Sequence, residues 1–245
     1  MELINLKYDE INIKQSRATI ETKWMDQFSN FSETSFADHL TKEDLSLLFY
    51  LYDNIFLNDF FKNTYKGSFN FSISNRMTKS AGITLCPKNI KSLHPQQVKF
   101  EIRISANFLN NYHHLNKEKY VCGLKTKNPL EALLLIMEHE ICHVIEFVYF
   151  NQSSCRNNRF KNLAYNIFGH KSSYHALPTN GEIAKEKLGL KIGDSVAFYY
   201  KSKKLKGIIY KINKNATVMV KDTKGNYRDY KGNQYSKYYV PLDKL

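Results

Sequence analysis

The stretch LLLIMEHEICHVIEF, residues 133–147, decides how the rest of the chain is interpreted. Its apolar residues cover nearly every side of a helix, which predicts a buried helix over about residues 130–150. His139, Glu140 and His143 interrupt this apolar surface with polar side chains. Because buried polar groups are costly without partners, these three side chains need something to bind.

His139-Glu140-Ile141-Cys142-His143 is an HExxH motif inside the predicted helix. Residues four apart lie on one helix face, so both imidazoles can reach a single Zn²⁺. Glu140 then lies where it can act as general base toward a water bound to the metal, and this is the arrangement of a zinc peptidase. Two hydrogen-bonded core histidines are the alternative.

The remaining periodicities predict a mixed α+β core around this helix. A helix is expected from Thr41 to about residue 57, and a second one follows the motif over about residues 158–168. Alternating apolar residues predict strands at 69–74, 83–85 and 98–104. We expect these three strands to form a small antiparallel sheet.

The two ends of the chain have residue patterns that differ from that of the core. Residues 1–40 lack a sustained period and predict an irregular arm or short helices, with Trp24 and Phe28 docking on the body. After a linker at 181–190, strand-like runs and turn residues over 191–245 predict a small all-β module resembling an SH3 or Tudor barrel. The α+β core that contains the HExxH helix is expected to form a domain over residues 41–180.

Several short runs, in this order and spacing, resemble the SprT-like zinc metalloproteases over about residues 42–180. They are SNRM followed by AG in 74–82, IRIS at 102–105, EHEICH at 138–143, and FKNLAYNIFG at 160–169 with His175 beyond it. The resemblance implies a zincin-like core of a small sheet, the HExxH helix and a following helix. It also implies one catalytic Zn²⁺ and cleavage of proteins associated with or crosslinked to DNA.

The third zinc ligand departs from the family pattern. The family places a histidine four residues before an aromatic residue, but counting back from Phe160 gives Arg156, whose guanidinium stays protonated and cannot bind zinc. Cys155 is the nearest candidate, and His170 and His175 are further options. Loss of the third site is also open, and it would leave a catalytically degenerate zincin that acts as a nucleic-acid-binding or scaffolding protein.

The charge of the chain is concentrated near its C-terminus. The chain has a net charge of +13, and residues 191–245 hold 13 Lys and Arg against 4 Asp and Glu, a net charge of +9. Lysines interleaved with tyrosines suit nonspecific nucleic-acid binding, including binding to single strands. The alternative is a barrel whose tyrosines form its core and whose lysines only keep it soluble. The candidate binding residues are Lys201, Lys203, Lys204, Lys206, Lys211, Lys214, Arg228, Lys231 and Lys237.

The composition also limits which partners and which cellular compartment are expected. The N-terminal residues lack the pattern of a secretory signal, no stretch is suited to span a membrane, and the four cysteines are too dispersed for a disulfide framework. We therefore expect an intracellular monomer, cytoplasmic or associated with the nucleoid or nucleus. Its expected partners are DNA and DNA-bound protein substrates. Whether the nucleic acid is DNA or RNA stays open.

Overall fold

The computed structural model describes residues 2–28 and 35–245 of the chain and has a mixed α+β architecture. Two compact units make up the protein. The first ends at Leu177 and the second runs from Pro178 to Leu245. None of the described helices combines the length and the apolarity that a bilayer-spanning helix needs.

The N-terminal segment differs from the expected irregular arm, because its described part contains one long helix, α1 (Glu10–Met25). The Asp9 side chain caps this helix by accepting a hydrogen bond from the backbone N–H of Asn12. Trp24 is fully buried and donates from Nε1 to the carbonyl of Asp44 at 2.9 Å, and Phe28 stacks on it. The docking of Trp24 and Phe28 on the body is thus present, while part of the expected arm, residues 29–34, lies outside the described residues.

Two helices follow before the first sheet. Helix α2 (Lys42–Leu57) begins at a capping box formed by Thr41 and Asp44, as the sequence predicts. A short helix α3 (Phe60–Asn63) comes next, and the buried Asp53 carboxylate accepts hydrogen bonds from two of its backbone N–H groups. The carboxylate therefore fixes the sharp turn between the two helices.

The first sheet contains β1 (Ser68–Ser74), β2 (Gly82–Leu85) and β3 (Lys99–Ser105) in the order β1-β3-β2. The three predicted strands are present, but the expected antiparallel sheet is wrong, because β1 pairs with β3 in parallel and only β2 with β3 is antiparallel. Consecutive strands still alternate in direction. Since β3 inserts between the first two, it must run parallel to one neighbour, and β2 becomes an edge strand.

The central helices complete the first unit. Helix α5 (Pro129–Phe150), which carries the HExxH motif, is capped by Asn128 and packs against α2, against β2 and against α6 (Asn158–Phe168). Four short elements that the sequence did not predict lie around it: α4 (Ala106–Asn110), β4 (Lys119–Val121), β5 (Leu124–Thr126) and β6 (His175–Ala176). The three strands form a second small sheet, and segments of two or three residues are too short to show a period.

The second unit is an open sheet. Helix α7 (Asn180–Leu188) occupies most of the expected linker, and Ala184 belongs to this unit's core. Five antiparallel strands follow in the order β10-β11-β9-β8-β7. They are β7 (Ser195–Tyr200), β8 (Lys203–Ile212), β9 (Asn215–Lys221), β10 (Tyr227–Arg228) and β11 (Gln234–Pro241). The module is all-β in its sheet, but the expected SH3- or Tudor-like barrel is not confirmed: among the described residues β7 and β10 are the two edges and do not pair with each other.

Replacing Trp24 tests whether α1 belongs to the core of the first unit. Trp24→Ala removes a fully buried side chain, and we expect it to lower the free energy of unfolding of this unit by about 3–5 kcal/mol. Urea denaturation followed by far-ultraviolet circular dichroism measures this loss. Ile11→Ala on the same helix is the matched control, since Ile11 is 68% exposed and its loss should change stability by less than about 0.5 kcal/mol. Equal effects of the two changes would show that α1 does not pack as described.

Candidate metal centre

The two histidines of α5 converge on one point. Their Nε2 atoms lie 3.2 Å apart, and His139 is 5% exposed. Two imidazole nitrogens that bind one zinc ion at about 2.0–2.1 Å and at a tetrahedral angle lie about 3.3–3.4 Å apart. The spacing of the pair therefore fits a shared metal ion.

The hydrogen bonds of His143 set its tautomer. Ser153 Oγ donates its only proton to Glu146 Oε2 at 2.7 Å and lies 2.6 Å from His143 Nδ1. Because the serine proton is already used, Nδ1 must be the protonated nitrogen and donate to Ser153. His143 Nε2 is then an unprotonated acceptor, which is the form that binds a metal.

His139 is held from the opposite side by a cysteine. Its Nδ1 lies 3.5 Å from the Sγ atom of Cys122, a fully buried residue in the turn between β4 and β5. Cys122 Sγ is also 3.9 Å from the carbonyl of Leu135 and from His175 Nδ1. The unprotonated Nε2 atom of His143 thus faces the Nε2 atom of His139. Either a proton on His139 Nε2 or a cation must lie between these two atoms.

Two groups of side chains could complete a metal site around His139. In one group, ligand atoms of His139, His143 and Cys155 all lie within 4.8 Å of one another, and in the other the same holds for Cys122, His139 and His175. The first group is the set that the sequence predicts. It also contains both helix histidines and lies along an open cavity, whereas Cys122 is fully buried and does not line that cavity.

His170, the less favoured sequence candidate, lies elsewhere. Its Nε2 is 2.8 Å from Glu138 Oε2, and it belongs to neither of the two groups found among the described residues. Glu138 also receives two hydrogen bonds from the Arg17 guanidinium, at 2.7 and 2.9 Å, and one from the Tyr52 hydroxyl at 2.9 Å. Burial raises the pKa of Glu138, but Arg17 and His170 outweigh it and bring the pKa below its ordinary value. Glu138 therefore anchors α5 to α1 and belongs to neither candidate donor group among the described residues.

Glu140 lies beside the histidines under strand β2. Thr84 Oγ1 is 2.8 Å from Glu140 Oε2 and 3.1 Å from its backbone carbonyl, and the backbone of Gly82 passes close to Oε1. Burial raises the pKa of this carboxyl to about 8, although the Thr84 hydrogen bond acts in the opposite direction. A carboxyl in this range can take up and release a proton near neutral pH.

Burial keeps the histidines of the site neutral. It lowers the pKa of His143 and of His175 to about 4 each, and it brings the pKa of His139 well below the ordinary value. Neutral imidazole is the form that binds metal. A cation can therefore bind without first displacing a proton from a positively charged histidine.

A cavity of about 440 Å³ opens onto these groups. Residues 80–84, which include most of β2, line this cavity together with Ser153, Cys155, Tyr174 and His175. His139, Glu140 and His143 lie along the same cavity. An extended ligand bound there would contact the histidines, the carboxylate and an edge strand together.

Sequence reasoning missed the groups that orient the motif. Ser153, Cys122 and Thr84 contact His143, His139 and Glu140 respectively, yet each lies on a loop or short strand. Glu146 has a clearer sequence signal, since it lies on α5 three residues after His143. It supports Ser153 and receives a further hydrogen bond from Arg159 Nε at 2.7 Å.

The nine basic residues proposed for nucleic-acid binding lie on several strands and turns of the second unit. Arg228 and Lys237 line a cavity of about 500 Å³ on the sheet of the second unit, and Lys204 and Lys206 extend from β8. The others lie at strand ends or in turns: Lys201, Lys203, Lys211, Lys214 and Lys231. The structure thus brings Arg228 and Lys237 together at one cavity and distributes the rest over β8 and the turns.

No protein-family model, curated protein or solved structure matches this chain significantly. The geometry of the site therefore carries the functional argument by itself.

Zinc binding tests the assignment of the donor set. We expect the wild-type protein to bind one Zn²⁺, and His143→Ala to abolish stoichiometric binding because it removes one of the two converging nitrogens. Cys155→Ala should weaken zinc by more than about 100-fold, since loss of a ligand must exceed the 10- to 100-fold cost of losing an outer hydrogen-bond partner. Zinc content after dialysis, followed by competition with a chelator, measures both effects.

Ser153→Ala provides a graded comparison, because it removes only the hydrogen-bond partner of His143 and should weaken zinc by about 10- to 100-fold. Cys86→Ala is the matched control, since Cys86 is a free cysteine outside both donor groups. Unchanged zinc affinity in Cys155→Ala together with a loss in His175→Ala would assign the second donor group instead. If the wild-type protein does not bind zinc, the two histidines share a proton and not a metal ion, and the assignment of the donor set is wrong.

Proposed function

We propose that this protein is a zinc-dependent metallopeptidase of SprT-like type with a zincin-like core, and that it cleaves proteins associated with or crosslinked to DNA. The observation that carries this proposal is the meeting of His139, His143 and Cys155 at one point of an open cavity, with the Glu140 carboxyl beside them. Zinc held by these three side chains would supply Lewis-acid polarisation of the scissile carbonyl and a more acidic water. The chain's own groups must supply orientation and proton transfer.

Glu140 is suited to move the proton during peptide hydrolysis. Thr84 fixes its Oε2 atom beside the two histidines, where a carboxyl group can accept a proton and release it again. Glu140 would accept a proton from the attacking water and pass it to the amine that leaves. The cavity gives the carboxyl access to a substrate although the residue itself is only 2% exposed.

Strand β2 supports a peptide substrate. One edge of this strand pairs with β3, and no described strand pairs with its other edge. Residues 82–84 of the strand line the cavity. An extended peptide can add to such an edge through backbone hydrogen bonds, which need no particular side-chain sequence. This mode of binding favours unfolded segments of many proteins over one defined substrate.

The charge distribution supports a nucleic-acid partner. The net charge of +9 on residues 191–245 attracts a polyanion, and a second unit that binds nucleic acid would hold the peptidase near proteins on the same strand. Tethering of this kind raises the effective substrate concentration to about the millimolar range without new contacts at the cleft. Specificity would then come from location and not from the cleaved sequence.

Replacing Glu140 separates catalysis from metal binding. Glu140→Gln keeps the shape of the side chain and the two histidines but cannot accept a proton, so cleavage should fall by at least about 100-fold while zinc content stays at the wild-type level. Cleavage of an unfolded protein and of a protein crosslinked to a DNA strand is followed by gel electrophoresis. Glu186→Gln, an exposed carboxylate on α7, is the control and should cleave as the wild type does.

Two results would contradict the mechanism. Wild-type rates in Glu140→Gln would show that another group moves the proton. A zinc-containing wild-type protein that cleaves neither substrate would favour the degenerate zincin, which binds nucleic acid without hydrolysis.

Gly82 offers a second test of the carboxylate. A Cβ atom at this position would lie 2.6 Å from Glu140 Oε1 and 2.8 Å from Ile136 Cγ2, so Gly82→Ala must displace the carboxyl. A displacement of about 1 Å can cost about 100-fold in rate, and we expect cleavage to fall to that extent with zinc retained. Gly181→Ala meets nothing within 4 Å and is the matched control. Full activity of Gly82→Ala would mean that the position of Glu140 under β2 has no role in the reaction.

A further inference from the structure

We propose that the solvent-facing side of the sheet in the second unit binds single-stranded nucleic acid, with unpaired bases stacked on Tyr210 and Tyr227. This inference rests on the proposed function, since it gives the nucleic-acid partner a defined chemistry and a defined surface. It concerns strands β8 to β11 and makes no use of the metal centre.

The two faces of the sheet differ in composition. One face carries the core of the unit, with Phe198, Ile209, Val218 and Val240 buried. On the other face, Ile208 of β8 pairs with Met219 of β9, and Met219 pairs with Lys237 of β11. Tyr210 lies at a β-bulge between Ile209 and Lys211, and its side chain lines the same cavity as Ile208 and Met219. This second face is therefore apolar and aromatic although it is exposed.

A cavity of about 500 Å³ lies on this face. Ile208 and Met219 contribute apolar surface to it, and Tyr210, Tyr227 and Tyr235 contribute aromatic rings. Tyr210 is 66% exposed and Tyr227 is 43% exposed, and Lys237 Nζ covers one face of the Tyr227 ring. A ligand can therefore reach the Tyr210 ring and the part of the Tyr227 ring that Lys237 leaves exposed. A flat, largely apolar group such as a nucleobase is the ligand that stacks on such rings.

The charges around the cavity select an anionic ligand. Arg228 and Lys237 line it, and Lys237 Nζ lies 3.9 Å from the centre of the Tyr227 ring. Asp229 is the acidic residue among those that line the cavity, and its carboxylate accepts hydrogen bonds from Asn233 and from the Tyr235 hydroxyl. The remaining positive charge repels a cationic ligand such as a methylated ammonium group and attracts phosphates.

Single strands fit this surface better than duplexes. In a duplex the bases are stacked on each other and only phosphates and groove edges are accessible, so the exposed tyrosines would contribute little. In a single strand, bases can leave the stack and enter the cavity while phosphates contact Arg228 and Lys237. Because stacking does not read hydrogen-bond patterns, the surface should accept many sequences, in DNA or in RNA.

Fluorescence anisotropy with the full chain tests this proposal. The probes are labelled thymidine and uridine oligonucleotides of about 12 nucleotides, within the range that one small β-sheet module covers, and a duplex of the same length. We expect each single strand to bind more tightly than the duplex. Tyr210→Leu and Tyr227→Leu should each weaken single-strand binding by about 5- to 100-fold and leave duplex binding nearly unchanged.

Two controls separate stacking from charge. Tyr165→Leu makes the same change at a tyrosine that is 60% exposed on α6 in the other unit, and it should bind all probes as the wild type does. Lys237→Gln should reduce the slope of log affinity against log salt by about one between about 50 and 200 mM salt. Both tyrosine variants remove exposed side chains, and circular dichroism should confirm that they fold.

Three outcomes would overturn the proposal. They are equal binding of duplex and single strands, tyrosine variants that bind single strands as the wild type does, and displacement of the oligonucleotide by polyglutamate at a similar concentration. Preference for the thymidine or the uridine probe would assign the surface to DNA or to RNA, and either result supports it. Because Glu140→Gln can be used throughout, binding is measured without cleavage, and a failure of the peptidase proposal leaves this measurement intact.

Discussion

The structure of the first unit depends on burying polar groups of α5 in an apolar core. Three of these groups are buried and have partners from different parts of the chain: Arg17 for Glu138, Cys122 for His139 and Thr84 for Glu140. The half-buried His143 has Ser153 as its partner. Because an unpaired buried polar atom costs about 1–3 kcal/mol, these contacts fix how α1, the two small sheets and the loop after α5 are placed around the helix. The same contacts orient the side chains of the proposed site.

The buried Arg17 pair shows how the N-terminal segment takes part. Arg17 reaches Glu138, the residue directly before His139, and the Arg17 guanidinium also donates to the carbonyl of Phe168. Removing one partner of such a pair leaves an uncompensated charge and is strongly destabilising. Helix α1 is thus part of the support for α5, and the support lies on the side of the helix away from the cavity.

Much of the local structure could be predicted. The limits of α2, α5 and α6 follow from caps and from helical periodicity, and the strands of the first sheet follow from alternation. The order of that sheet could not be predicted, since alternation shows which face is buried but not which strand lies in the middle. The open sheet of the second unit was missed for a related reason, because strand positions alone do not determine whether the two edges meet.

The sequence by itself determined the chemistry that is available: an HExxH motif on a buried helix, a cysteine at residue 155 beside Arg156, and a positive charge concentrated after residue 190. Only the tertiary structure decided which side chains meet. It brings Cys155 to the two histidines, directs His170 to Glu138, and places Tyr210, Tyr227 and Lys237 around one cavity. The physical reason is that spacing along a helix or strand fixes neighbours within that element, whereas contacts between elements depend on how the whole core packs.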